Sequence, residues 1–214
     1  MNIVVFDFDY TLGDSTGGIV QSINYALDRL GHTANDTDAI KKTIGLSLKK
    51  AYVELTGNGD PERAEQFANY FKEKADEVML ENTVLYPGVV QMLSKLKENG
   101  YKTAIVTTKF RYRIEQILNK YNAGHLINVI VGAEDVKVEK PDPEGLLWVI
   151  KSFGAEKADV LYVGDSVVDA KTAERAGAAF AAVLTGTTSR KEFETYPNVY
   201  KGQCVTDVCQ RMLP

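Results

Sequence analysis

Cysteine, histidine, positive charge and long apolar runs are all scarce in this chain, and each scarcity excludes something. Its 214 residues hold two cysteines, two histidines and one tryptophan. Cys204 and Cys209 form no C-x-x-C pair, so neither a disulfide framework nor a cysteine metal site is expected, and both read as packing residues. His32 and His125 are isolated, each beside a glycine, and read as surface residues. No segment approaches the roughly 18 uninterrupted apolar residues that a membrane span needs. A net charge of −4 and a pI near 5.3 argue against a nucleic-acid or anionic-membrane partner. The opening residues carry no basic leader and place acids inside an apolar run, so no signal peptide is read and a cytoplasmic location is expected.

What is present is an ordinary globular composition, 44% hydrophobic and 25% charged, long enough for one good core and a smaller module. The chain is organised around Val4 to Leu12, V-V-F-D-F-D-Y-T-L. The β-branched and aromatic run Ile3-Val4-Val5-Phe6 has the character of a buried strand and is too short for a helix. If strand geometry persists past Phe6, then Asp7, Asp9 and Thr11 share one side, because strand side chains alternate. Paired buried carboxylates call for a cation or a proton between them. This stretch alone leaves a second reading open, a strand end turning polar where it meets solvent, with Asp14-Ser15 capping the next helix.

Downstream, apolar spacing predicts four helices between about 14 and 82: Gly18 to Leu30, Asn35 to Ile44, Ser47 to Leu55, and Asp60-Pro61 to about Leu80. After that the pattern alternates. Helices are expected over Val89–Glu98, Arg111–Tyr121, Pro143–Phe153 and Val167–Ala176. Strands are expected over Thr103–Val106, Asn128–Val131, Val160–Val163 and Phe180–Leu184, with a short last helix from Thr206 to Met212. Strands alternating with helices imply an α/β fold, a doubly wound parallel sheet with an inserted helical segment. Ligands in such sheets bind beyond the carboxyl ends of the strands. Asp7/Asp9, Thr107 and Asp165/Asp169 each follow such an end, and the Lys140 loop can reach the same edge.

Four short motifs in order carry a family resemblance: Asp7-Phe8-Asp9-Tyr10-Thr11-Leu12, Thr107 after T-A-I-V, Lys140 in K-P-D-P-E, and Gly164-Asp165-Ser166-x-x-Asp169. With these, the chain resembles the haloacid dehalogenase-like hydrolase superfamily, on its phosphatase side, over its full length. The helical insert is similar to the small cap of the phosphoglycolate phosphatase and β-phosphoglucomutase branch. The resemblance implies a core domain of residues 1–13 and 83–214 and an α-helical cap domain of residues 14–82, acting as a lid that reads the substrate. Two positions depart from the branch: Tyr10 stands where glycine is usual, and Thr108 where T-N-K would have asparagine.

The resemblance also implies roles. Asp7 is the nucleophile, and Asp9 is the general acid and base. Mg2+ is held by Asp7, Asp165 and the Asp9 carbonyl, with Asp169 as a direct or supporting ligand. Lys140 neutralises phosphoryl oxygen and Asp7, while Thr107, with Thr108 beside it, binds phosphate. Thr11 steadies the loop and Asp9 through its hydroxyl. Asp165 as a mere helix cap and Lys140 as a solvated lysine are the plainer alternatives. Asp142 and Glu144 read as a helix start, Tyr101 and Tyr162 as packing residues, and Lys49, Lys50 and Lys109 as solvated, with one of the three meeting a substrate carboxylate from the cap side as the lesser alternative.

The implied activity is magnesium-dependent hydrolysis of a small phosphomonoester through an aspartyl-phosphate intermediate, with phosphoglycolate leading. A sugar-phosphate phosphatase, a β-phosphoglucomutase or a pyrophosphatase is the alternative. The loop Gly45-Leu46-Ser47-Leu48 lacks the arginine of the mutases, which counts against that activity, and Asp9 counts against a dehalogenase. A phosphate-binding scaffold without turnover is the alternative of a different class. The expected partner is a small phosphorylated metabolite, and the expected assembly a monomer or weak homodimer.

Overall fold

A computed structural model describes residues 2–213. Six strands make one sheet in the order β5-β4-β1-β6-β7-β8, each pairing parallel to its neighbour. They are β1 (Ile3–Phe6), β4 (Lys102–Val106), β5 (Val129–Val131), β6 (Val160–Gly164), β7 (Ala179–Val183) and β8 (Tyr200–Gly202). The order reverses around β1, which lies between β4 and β6. This is the doubly wound α/β arrangement expected from the sequence.

Side-chain alternation explains the layers. Val5 lies level with Ala104 and Tyr162, and Tyr162 with Phe180, so these residues share one face. That face packs on Leu146, Val149 and Ile150 of α7 (Glu144–Ser152) and on Ala170 and Ala173 of α8 (Val167–Ala176). The remaining helices of this unit are α5 (Val89–Glu98), which buries Met92, Leu93 and Leu96, α6 (Arg111–Lys120), and α9 (Val205–Gln210). A buried parallel sheet reads as continuous apolar sequence, and β1 is buried along its whole length. β8, the three-residue edge strand Y-K-G, went unforeseen because a short, polar, half-buried segment carries no period.

The chain divides into two compact units, one of residues 1–13 and 85–214, the other of residues 14–84. The second holds α1 (Thr16–Arg29), α2 (Thr37–Lys41), α3 (Leu48–Thr56) and α4 (Pro61–Val78). Ile19, Ile23 and Leu27 on α1 meet Phe67, Phe71 and Ala75 on α4, the seam that their helical spacing dictates. Asp60 caps α4 by accepting from the Glu62 amide, and Pro61 occupies the first turn, where its missing N–H costs nothing. Two short strands, β2 (Gly13–Asp14) and β3 (Val84–Leu85), pair where the chain leaves one unit and returns. His32 is not a free surface residue: it is half-buried, with Nε2 3.2 Å from the Tyr52 hydroxyl and its ring edge-on to that tyrosine. Among the described residues, no helix is long and apolar enough to cross a membrane.

Candidate active site

β1 ends at Phe6, and only the Asp7 amide continues its ladder, donating to the Val163 carbonyl at 2.9 Å. The chain then turns instead of running on as a strand. The Phe8 carbonyl accepts from the amides of Thr11, Leu12 and Gly13 at 3.2, 2.9 and 3.2 Å, which coils the loop on itself. Asp7, Asp9 and Thr11 therefore reach the site by a tight turn, not by strand alternation. Inside that turn Tyr10 has φ +59°, the left-handed region where glycine is at ease and a bulky residue is strained. This is why glycine is the natural residue at that position.

Asp7 and Lys140 meet at the centre. Lys140 Nζ lies 2.9 Å from Asp7 Oδ1, 2.6 Å from Asp169 Oδ1 and 3.1 Å from the Tyr162 hydroxyl. The Asp7 contact lacks hydrogen-bond geometry, so that buried oxygen has charge beside it and no donor. Lys140 is not a solvated lysine. The loop carrying it is held by Glu144, which accepts from the amides of Lys137 and Val138 at 3.0 to 3.1 Å, while Asp142 accepts from the Glu144 amide at 2.9 Å. Those two acids make a helix start, as the sequence suggests.

The foot of α8 is a second fixed point. Ser166, not Asp165, is the N-cap: its hydroxyl accepts from the Asp169 amide at 3.2 Å, and Asp169 Oδ2 accepts from the Ser166 amide and hydroxyl at 3.0 and 2.6 Å. Asp165, one residue earlier, is thereby left for other work. Asp169 Oδ1 takes the Lys140 ammonium and the Tyr162 hydroxyl at 2.6 and 3.1 Å, so both of its oxygens are occupied. Gly164 permits this approach, since a Cβ there would lie 2.4 Å from Asp169 Cβ. Tyr162 does pack in the core, but its hydroxyl also lies 2.9 Å from the Val106 carbonyl, so its one proton is shared between β4 and the Asp169 carboxylate.

Two further expectations change. The Thr11 hydroxyl reaches Asp165 Oδ1 at 3.3 Å and does not hold Asp9. Lys109, read as solvated, is buried, and its Nζ lies 3.0 Å from Asp9 Oδ2. Its amide donates to Thr107 Oγ1 at 3.3 Å, so the phosphate-binding candidate and this ammonium belong to one short loop after β4. Thr107 is buried there and Thr108 half-buried. Asp9 Oδ1 is buried with no hydrogen-bond partner.

Burial pushes the Asp7 carboxyl up to about 6, against the pull of Lys140, with Asp169 and Asp9 adding to the rise. Asp165 is raised well above the usual carboxylate range by burial and by the charges of Asp169 and Asp7. Burial works against the Lys140 ammonium, but Asp169 and Asp7 outweigh it and hold the charge well above the usual range. Four carboxylates thus face two ammonium groups in one buried region. With all four ionised, the excess of two negative charges matches a divalent cation, whose charge would oppose the rise at Asp7 and Asp165. Asp7, Asp165 and Asp169 also bring carboxylate oxygens within 4.8 Å of one another, a hard oxygen donor set. The residues fit a divalent metal. With Asp169 saturated by protein donors, Asp7 and Asp165 have the oxygens to offer it.

Two neighbouring loop carboxylates, a buried lysine and three carboxylates that fit a divalent metal gather at the carboxyl ends of parallel strands, an arrangement that suits a hydrolase centre. Residues 4–183 match the family model of the haloacid dehalogenase-like hydrolases, and the chain belongs to that family. It is 32% identical over 191 residues to phosphoglycolate phosphatase 1 of Pseudomonas aeruginosa, covering 86% of this chain and 70% of that one. It is 27% identical over 205 residues to the pyrophosphatase PpaX of Bacillus velezensis, covering 96% and 93%. Among solved structures, a haloacid dehalogenase-like hydrolase from Bacteroides fragilis superposes with a TM-score of 0.94 at 40% identity, over 97% of this chain and 99% of that one.

The sequence reading missed the parts Lys109, Tyr162 and Ser166 play. A signal existed for two of them. Lys109 follows a strand's carboxyl end by three residues, where ligand-binding groups gather. Tyr162 carries a hydroxyl into a strand otherwise apolar, and a buried hydroxyl needs a partner.

Proposed function

We propose that the chain is a magnesium-dependent phosphatase of a small phosphomonoester in the cytoplasm, with phosphoglycolate as the leading substrate. The observation that carries this reading is the separate pairing of the two loop carboxylates, Asp7 with Lys140 and Asp9 with Lys109. One carboxylate can attack phosphorus while the other handles protons. An Asp7 oxygen forms the bond to phosphorus as the bond to the leaving oxygen breaks, and the Asp9 carboxylic acid gives that oxygen its proton. Asp9 then takes a proton from water. The resulting hydroxide attacks phospho-Asp7, releasing phosphate and restoring the carboxylate. Lys140 and Thr107 stabilise the phosphoryl oxygens, and Asp169 keeps Lys140 in place. Mg2+, held by Asp7 and Asp165, supplies positive charge against the dianionic phosphate.

Lys109 favours an anionic leaving group, because its ammonium stands beside the acid that protonates the departing oxygen. Glycolate has a carboxylate one carbon from that oxygen. Phosphate, the leaving group of pyrophosphate, is the second reading, favoured by the same ammonium and by the likeness to a pyrophosphatase. The helical unit, residues 14–84, is assigned the role of cap. The test is phosphate release from phosphoglycolate, pyrophosphate and glucose phosphates, with Mg2+ and with chelator. Magnesium-dependent release with the highest kcat/KM on phosphoglycolate is expected. A preference for neutral sugar phosphates would remove Lys109 from substrate selection, and no release from any compound would favour a scaffold without turnover.

A further inference from the structure

The loop after β7 has no part in the chemistry above, yet it touches two of its elements. β7 lies two strands from β1, with β6 between them. Immediately after it, the Thr185 hydroxyl donates to the Tyr10 carbonyl, reaching past the end of β6 to the loop that carries Asp7 and Asp9. The next residue, Gly186, lies against Asp165: a Cβ there would fall 1.9 Å from Asp165 Oδ2 and 2.7 Å from its carboxyl carbon. Those atoms belong to the end of a short side chain that Thr11 already holds from the other oxygen, at 3.3 Å. The side chain cannot give way without leaving the place where it faces Asp7.

We infer that Thr185 and Gly186 form a positioning brace for the metal seat. Thr185 secures the strained turn at Tyr10, and Gly186 supplies the side-chain-free surface against which the Asp165 carboxylate rests. Neither residue touches substrate. Both act through the loop after β1 and through Asp165. Tyr10 sharpens the need, because at φ +59° a tyrosine gains less from the left-handed turn than a glycine, and the Thr185 bond opposes its relaxation. The peptide plane that follows Asp9 is held in turn by the Tyr10 amide, which donates to the Gly13 carbonyl at 2.8 Å.

The inference rests on the reading of Asp7 and Asp165 as metal-holding residues, so its test begins with the wild-type chain. Binding of Mn2+ is followed without substrate, by the loss of the free-ion magnetic resonance signal, for wild type, Gly186→Ala, Thr185→Val and Thr185→Ser. Wild-type binding establishes the seat, and its absence would overturn the metal reading rather than the brace. Gly186→Ala is expected to bind Mn2+ about 10- to 100-fold more weakly, the range for groups that orient ligands from behind. Thr185→Val is expected to weaken it in the same direction by a smaller factor, and Thr185→Ser, which keeps the hydroxyl, to restore it. Circular dichroism checks the fold of each variant. If Gly186→Ala fails to fold, the Val and Ser pair decides. Wild-type Mn2+ affinity in a folded Gly186→Ala, or equal affinities for Val and wild type at position 185, would overturn the brace.

Discussion

The foot of α8 and the loop after β1 each bury an aspartate beside a buried lysine, and they treat it in opposite ways. Asp169 has protein donors on both oxygens: the Ser166 amide and hydroxyl on one, and the Lys140 ammonium, with the Tyr162 hydroxyl shared between it and the Val106 carbonyl, on the other. Asp9 has Lys109 on one oxygen and no hydrogen-bond partner on the other, though that atom too is buried. A fully satisfied carboxylate is a structural part, expensive to remove and with nothing left to offer. An unsatisfied one carries a cost in the resting fold that an incoming proton or substrate can relieve. The first region holds the site in place, and the second is the one proposed to carry the chemistry.

Four experiments can break or sharpen that contrast. Asp7→Asn, which removes the nucleophile while keeping its shape, is expected to lower kcat at least about 10⁴-fold, measured by phosphate release. Retained turnover would move the attack to another group. Asp9→Asn is expected to cost about 10²–10⁴-fold in kcat with little change in melting temperature. A large drop in melting temperature would mean that Asp9 is structural after all. Asp169→Ala should do the reverse in emphasis, destabilising the fold by about 3–5 kcal/mol in denaturant titration, because it strands Lys140 with one partner fewer and removes the reciprocal half of the capping box at α8. A variant as stable as wild type would erase the distinction.

The smallest effect concerns pH. Folding raises the Asp7 carboxyl from 3.8 to about 6, so between these values the folded chain holds a proton that the unfolded chain has released. The stability this group contributes is therefore present below about pH 4 and lost as pH rises through 6, a change on the order of 3 kcal/mol without metal. In chelator, the melting temperature of the wild type should fall relative to Asp7→Asn as pH goes from 5 to 7. Parallel curves for the two proteins would show that Asp7 is not held up by its surroundings.

The central architecture was legible because it follows from short-range rules. Alternating strand and helix signals give the parallel sheet, and every strand's carboxyl end is a place to look for polar residues. Asp7, Asp165 and Asp169 became candidates that way, and Lys140 as a loop residue able to reach the same edge; the structure brings the four together. Lys109 was not, because a lone lysine after a strand resembles any surface lysine until the turn after β1 brings Asp9 to it. The Thr11 hydroxyl was assigned to the wrong carboxylate for a related reason: its partner, Asp165, is 154 residues away. Side chains within one loop can be inferred from spacing. Pairings made by a coil such as the one around the Phe8 carbonyl cannot, since strand alternation ends at its first residue.

β1 precedes in sequence both of the strands it lies between, β4 and β6, and Lys140 and Asp165 come from far later in the chain. During synthesis, the segment holding both loop carboxylates leaves the ribosome with neither neighbouring strand yet available. Contacts of such long sequence separation form late and slowly. The nascent chain thus carries the proposed nucleophile without Lys140 and Asp165 for most of translation, and the proposed site is complete only once residues beyond 164 have emerged and docked.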